Sequence, residues 1–248
     1  MGSFGSPRRG QASPSSADDL REAYRVLRAN LLGALDDLDR PSVMFTSASP
    51  GEGKTATVAA LGRALARAGK RVAVVDFDLR HPDLHNKLAL ANELGVSELL
   101  LGKAEVADCL RFVEVDQAVD QPVEQPQGAL YALTAGAVPN DPAELISRPA
   151  ATQLLDGLSG QVDLVLIDSP PVLASADALV LGRLVSGAVL VVEARRTPIP
   201  VIERAKDALT RNQTRLLGVV VNKQARRDAT DPGYGGYPGD ERESTAAR

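Results

Sequence analysis

Six short segments of this sequence are almost continuously apolar, and most of them alternate with stretches of helical periodicity. They are SVMFTSA (42–48), RVAVVDFD (71–78), ALYALTAG (129–136), VDLVLIDSPP (162–171), GAVLVVEA (187–194) and RLLGVVVNK (215–223). Strands that are apolar throughout are buried on both faces, and strands separated by helices pair in parallel. The sequence therefore predicts a single α/β domain with a mostly parallel β-sheet and helices on both faces.

Length and composition agree with such a domain and argue against other classes of protein. The chain has 248 residues, of which 44% are hydrophobic, enough for a sizeable core. Its 28 basic and 32 acidic residues give a net charge of −4, which argues against nucleic-acid binding as the main task. The single cysteine, Cys109, is expected in the core and indicates a reducing cytosol. No apolar run approaches the ~18 residues that span a bilayer.

The two ends of the chain differ in composition from its centre. Residues 1–17 are rich in Gly, Ser and Pro, and residues 224–248 are polar and glycine-rich, so both segments are predicted to be disordered. The folded domain is predicted over residues 18–223, and it begins with a helix over 18–37. That helix has an apolar stripe that is expected to pack on the domain. The stripe consists of Leu20, Tyr24, Leu27, Leu31 and Leu35.

The turn SASPGEGKT, residues 47–55, lies between the first predicted strand and a predicted helix. At this position backbone N–H groups and a helix N-terminus can surround a phosphate. Gly51 and Gly53 would let the backbone close around the anion, Lys54 would reach the β- and γ-phosphates, and Thr55 would place its hydroxyl on Mg²⁺. The pattern departs from the strict phosphate-loop motif at Ala48, where a glycine is usual.

Three aspartates follow two other predicted strands. Asp76 and Asp78 end the second strand, and Asp168 ends the strand LVLID. Each alone could be a helix or turn cap, but the carboxyl ends of parallel strands meet at one edge of a sheet, where ligands bind. Three carboxylates there are costly to bury unless a cation offsets them, and Mg²⁺ bound to ATP is such a cation. The sequence therefore predicts a nucleotide phosphate site.

The combined motifs resemble the bacterial tyrosine autokinases of capsular and exopolysaccharide biosynthesis. The resemblance covers roughly residues 18–223 plus the tail. It rests on SASPGEGKT, VAVVDFDLRHPDLH, DLVLIDSPPVLASADA, EAYRVLRANL, LTAGAVPNDPAELI and the tail tyrosines. It implies the P-loop NTPase-like fold, ATP and Mg²⁺ as cofactors, and a tyrosine kinase activity that regulates polysaccharide synthesis and export.

The resemblance also implies roles for particular residues. Lys54, Asp76, Asp78 and Asp168 would be catalytic, with Asp76 as the base, although the sequence does not separate its role from that of Asp78. Asn222 is placed like the family's adenine-contacting residue, and a strand-end cap is the alternative. ATP would be bound by Ser49, Pro50, Gly51, Glu52, Gly53, Lys54, Thr55, Ala56 and Asn222, and the metal by Thr55, Asp78 and Asp168. Phosphate would be accepted by Tyr234 and Tyr237.

The main alternative is a positioning ATPase of the MinD/ParA type without kinase activity. Those proteins resemble K-G-G-x-G-K-T at the loop, where the first lysine reaches the nucleotide of a dimer partner. Ser49 holds that position here. The membrane-binding MinD type also ends in a basic amphipathic helix, whereas this tail is rich in Gly and Pro. Iron–sulfur carrier relatives need paired cysteines, which this chain lacks.

Glu22, Arg25 and Arg28 form a charged stripe on the first helix, at spacings of three. From spacing alone, a solvated face is the simpler interpretation. The resemblance instead implies a head-to-tail ring in which each tail is phosphorylated in trans. It further implies a transmembrane polysaccharide co-polymerase as activating adaptor, a cognate tyrosine phosphatase, and a cytoplasmic location at the inner face of the plasma membrane. Arg80 is expected at the phosphates or a subunit contact, and His81 and His85 at the surface or in a turn.

Overall fold

The computed structural model describes residues 16–115 and 128–224, which form a single α/β domain around a seven-stranded sheet. The strands lie in the order β3-β4-β2-β5-β1-β6-β7, and all pair in parallel except β3, which is antiparallel to β4. The strands are β1 Ser42–Ser47, β2 Arg71–Asp76, β3 Arg111–Val113, β4 Ala129–Leu133, β5 Leu164–Asp168, β6 Gly187–Glu193 and β7 Leu216–Asn222. The predicted fold class is confirmed.

Helices cover both faces of the sheet, because the central strands are apolar on both sides. The helices are α1 Ser16–Ala34, α2 Lys54–Arg67, α3 Leu84–Leu88, α4 Val96–Leu100, α5 Val106–Cys109, α6 Pro142–Ile146, α7 Pro149–Ser159, α8 Asp177–Gly182 and α9 Ile199–Arg211. Helices α1 to α3 pack against one face, and α4 to α9 pack against the other. Every residue of β1 and β5 is buried. Cys109 is also buried, as predicted.

Strand β7 was expected to be buried, and this expectation is wrong. It pairs with β6 on one side and forms an edge of the sheet, so Val219 and Val221 are about half exposed. The sequence of β7 does not distinguish an edge strand from a central one. Part of the strand is still covered, since Leu217 and Val220 pack against the core on the side of α1 and α2.

The apolar stripe of the first helix packs on the domain over most of its length. Leu31 and Leu35 are buried, and Tyr24 and Leu27 are partly buried against the α2 side of the core. Leu20, however, is 58% exposed, so the prediction that it packs on the domain is wrong. It lies one turn from the start of the helix, whereas the buried leucines lie near its end.

None of the helices in the described ranges is long and apolar enough to cross a membrane. Tyr234 and Tyr237 lie outside the described residues. So do the two terminal segments predicted to be disordered, except for residues 16, 17 and 224.

Candidate nucleotide and phosphoryl-transfer site

The phosphate loop connects the end of β1 to the start of α2 at the carboxyl edge of the sheet. Gly51 and Gly53 have φ values of 81° and 94°, a region that favours glycine. At Gly53 a Cβ atom would also lie 2.1 Å from Nδ2 of Asn222. Both glycines of the motif are therefore required by the backbone, and the first turn of α2 begins directly at Lys54.

Lys54 points from the loop to Asp78, two residues after the end of β2. Its Nζ lies 2.9 Å from Oδ2 of Asp78, and the two side chains are 12% and 3% exposed. Burial alone would lower the pKa of Lys54, but the charges of Asp168 and Asp78 outweigh burial and raise it. The structure thus brings together the lysine and the aspartates that the sequence predicted as one site.

Asp76 is fully buried beneath this pair. Its two carboxylate oxygens accept the backbone N–H groups of Asp78 and Leu84, at 3.0 and 3.1 Å. Burial raises the pKa of Asp76 well above its ordinary value, and the charge of Asp168 adds to this effect. The two N–H groups oppose it without reversing it.

Asp168 ends β5 directly beside Asp76 of β2 in the parallel register. Its side chain is completely buried, and neither carboxylate oxygen has a hydrogen-bond partner among the described residues. Burial raises the pKa of Asp168 to about 7, although the charge of Lys54 opposes this rise. A buried carboxylate without donors is suited to a cation.

The predicted metal ligands fit an ion that arrives with its nucleotide. Within residues 16–115 and 128–224, no group of three His, Cys, Asp or Glu side chains is arranged to hold a metal by itself. Mg²⁺ usually takes one or two carboxylates together with substrate phosphates and water. Asp78 and Asp168 supply two buried carboxylates that fit this preference.

Arg80 and Asn222 each form a contact within the domain that the sequence did not predict. Arg80 forms a two-point ion pair with the buried Asp177, with Nε–Oδ2 at 2.7 Å and Nη2–Oδ1 at 3.0 Å. This pair joins the loop after β2 to the start of α8. Asn222 donates from Nδ2 to the carbonyl of Glu52 at 3.0 Å and so holds the phosphate loop to the end of β7.

The remaining predicted residues lie away from the loop. Glu22 and Arg25 form an exposed ion pair of 2.7 Å on α1, whereas Arg28 donates to the carbonyl of Ala64 on α2 at 3.3 Å. His81 is exposed, and His85 is half-buried in α3. Asp177 and Thr197 were missed by the sequence analysis, because each acts through a partner far away in the chain.

Known proteins resemble this chain over most of its length. The CobQ/CobB/MinD/ParA nucleotide binding domain matches residues 43–233. Tyrosine-protein kinase YwqD of Bacillus subtilis (strain 168) is 37% identical over 215 residues, which are 87% of this chain and 86% of YwqD. Tyrosine-protein kinase etk of Escherichia coli (strain K12) is 31% identical over 223 residues, 90% of this chain but 29% of that protein.

Solved structures resemble the fold as well. The kinase domain of Escherichia coli tyrosine kinase ETK superposes with a TM-score of 0.76 at 31% identity, over 87% of this chain and 80% of that chain. The Pyrococcus furiosus cell division ATPase MinD gives a TM-score of 0.61 at 24% identity, over 76% of this chain and 74% of that chain. The second likeness concerns the fold alone.

Proposed function

This chain belongs to the CobQ/CobB/MinD/ParA nucleotide-binding family and, within it, to the bacterial tyrosine-protein kinases, and from this premise we propose that it transfers the γ-phosphoryl group of ATP to Tyr234 and Tyr237 of its own tail. The transfer would occur in trans within an oligomer. Its output would be regulation of capsular or exopolysaccharide synthesis and export.

One observation carries the proposal most directly. Asp76, Asp78 and Asp168 are buried together around a single lysine, and Asp168 has no donor among the described residues. Burial disfavours the ionised forms of these carboxyl groups, and a divalent cation would favour ionisation and so fit the site. A magnesium ion carried by ATP supplies that charge, and when bound it would neutralise the oxygens between which the phosphoryl group moves.

The residues of the site divide into three roles. Lys54 and the backbone N–H groups of residues 51–56 would hold the β- and γ-phosphates, and for this Lys54 would exchange Asp78 for phosphate oxygens. Thr55, Asp78 and Asp168 would hold Mg²⁺, directly or through water. Asp76, the buried carboxylate at the end of β2, would take the proton of the incoming tyrosine hydroxyl.

The partners and location follow from the same proposal. A transmembrane polysaccharide co-polymerase would activate the kinase from the membrane, and a cognate tyrosine phosphatase would reverse its action. The chain would therefore work in the cytoplasm at the inner face of the plasma membrane. We propose no nucleic-acid partner, since the net charge is −4. The MinD/ParA alternative is not favoured, because Ser49 stands where those ATPases have their first lysine.

Lys54→Ala tests the assignment. We expect phosphotyrosine formation to fall on the order of 100-fold or more, because the variant loses the cation that stabilises the transferring phosphates. The control is Lys206→Ala, which removes an exposed lysine of α9 and should retain the parent rate. Circular dichroism should show that both variants are folded. Phosphorylation by folded Lys54→Ala at the parent rate would contradict the assignment.

A further inference from the structure

Glu52 is a buried acid inside the loop that is proposed to bind phosphate. It is 3% exposed, although its neighbours on both sides are glycines. A carboxylate directed into the loop would repel a triphosphate. Its orientation therefore has to be fixed by other groups, and these groups control whether the loop can accept an anion.

The Glu52 carboxylate is fixed by one amide and one hydroxyl. Oε2 accepts the backbone N–H of Ser49 at 2.9 Å, which draws the start of the loop towards its centre. Oε1 accepts the hydroxyl of Thr197, from the segment between β6 and α9. The same Thr197 oxygen accepts the backbone N–H of Glu193 at 2.9 Å. A single hydroxyl can donate one hydrogen bond while it accepts another, so Thr197 links Glu52 to the end of β6.

The end of β7 holds the same stretch of the loop from a second direction. Lys223 Nζ donates to the carbonyl of Gly51 at 2.6 Å and lies 3.0 Å from Oε2 of Glu193. Asn222 donates to the carbonyl of Glu52. Residues 49–53 are thus attached to the ends of both β6 and β7, and two of the attachments meet at Glu193.

We propose that Thr197 is a positioning residue for nucleotide binding, which keeps the Glu52 carboxylate turned away from the phosphates and the loop open for them. The inference rests on the proposed nucleotide site and names a further residue that controls it. A preorganised loop binds its ligand without a further ordering cost. Without the Thr197 hydroxyl, Glu52 loses its only side-chain donor among the described residues and is free to turn towards the anion.

The expected effect is on affinity rather than on the chemical step. The Thr197 hydroxyl bonds to Glu52 and Glu193, and no hydrogen bond joins it to Lys54 or the three aspartates in the described residues. An interaction that acts equally in the bound substrate and the transition state changes KM and leaves kcat unchanged. A defect confined to folding would instead lower the melting temperature without this split.

The experiment compares Thr197→Val with Thr197→Ser. Valine keeps the shape of threonine and removes the hydroxyl, whereas serine keeps the hydroxyl. Calorimetric titration with Mg-ADP should give a Kd roughly tenfold weaker for Thr197→Val, as expected for losing a hydrogen bond to a charged group. Thr197→Ser should stay within about twofold of the parent. With Mg-ATP, KM should rise in parallel for the valine variant, and kcat should stay within about twofold of the parent.

Each outcome separates the inference from the proposed function. A parent chain that does not bind Mg-ADP would overturn the nucleotide site and this inference together. A parent that binds Mg-ADP, beside a valine variant that binds equally well, would overturn the role of Thr197 alone, as would equal weakening by valine and serine. If Thr197→Val does not fold, Lys223→Gln provides the second test, since Lys223 is partly exposed and should also weaken Mg-ADP binding severalfold. Unchanged binding by Lys223→Gln would then overturn the inference.

Discussion

Asp168 is a single carboxyl group whose surroundings oppose its charge. Its pKa of about 7 lies well above the ~3.9 of an exposed aspartate, because burial disfavours the ionised form. Between these two values the folded protein keeps a proton that the unfolded chain has released. The contribution of this group to the free energy of unfolding therefore falls as the pH rises from about 4 to about 7.

Asp168→Asn should remove this pH dependence. In metal-free, nucleotide-free buffer we expect the variant to gain stability relative to the parent as the pH rises through that window, by at most a few kcal/mol at neutral pH. Melting temperatures of both proteins from pH 4 to pH 8 provide the measurement. Mg-ATP should then stabilise the parent more than the variant. A difference in melting temperature that stays constant across the pH range would contradict this account of Asp168.

Residue positions were predicted well where the signal was local. Asp78 and Lys54 come from two motifs, and each motif could be recognised from a few neighbouring residues at a strand end. Thr197 and Asp177 could not be found in this way. Thr197 lies 145 residues from Glu52 and Asp177 lies 97 residues from Arg80, and no spacing rule connects such partners. Only the strand order brings them together.

For secondary-structure elements too, local signals were predicted from the sequence and features that depend on distant neighbours were not. Apolar runs and periodicity predicted six of the strands and helices α1 and α2, but not the short antiparallel strand β3 or helix α7. They did not predict that β7 is an exposed edge strand, because the strand order β3-β4-β2-β5-β1-β6-β7 differs from the order in the sequence. They also did not predict the exposure of Leu20 near the start of α1. Periodicity reports which face of an element is apolar, whereas the position at an edge or a helix end depends on the neighbours in space.

Of the exposed ion pairs on helix α1, Glu22–Arg25 belongs to the predicted oligomerisation stripe and Asp18–Arg21 does not. Glu22→Ala/Arg25→Ala removes the 2.7 Å pair on that stripe. If this stripe joins neighbouring subunits in a ring, the double variant should sediment as a monomer and autophosphorylate poorly, while it still binds ATP. Adding Arg28→Ala should destabilise the subunit as well, because Arg28 bonds to α2. Sedimentation velocity of the unphosphorylated proteins measures this.

The matched control is Asp18→Ala/Arg21→Ala. This pair has the same i,i+3 spacing on the same helix and a similar exposure, with a distance of 3.3 Å. It lies outside the predicted stripe, so the control should assemble like the parent. Assembly of Glu22→Ala/Arg25→Ala to the same extent as the control would show that the stripe is a solvated face.

At the scale of the whole molecule, the residues of the candidate site lie together at the carboxyl ends of the parallel strands. The carboxyl ends of β1, β2 and β5 place Lys54, Asp78 and Asp168 together, and the ends of β6 and β7 hold the loop in position. The tail begins directly after β7 in the chain. A kinase that phosphorylates this tail therefore connects its substrate segment to the strand that supports its own nucleotide loop.

The identity of the phosphorylated residues tests the central claim most directly. After incubation with Mg-ATP, mass spectrometry should find nearly all phosphate on Tyr234 and Tyr237. Tyr24 and Tyr131 should remain unmodified, because the first is half-buried in α1 and the second packs against Phe112 in the sheet. Phosphate mainly on serine or threonine, or ATP hydrolysis with no phosphate on the protein, would contradict the assignment as a tyrosine autokinase.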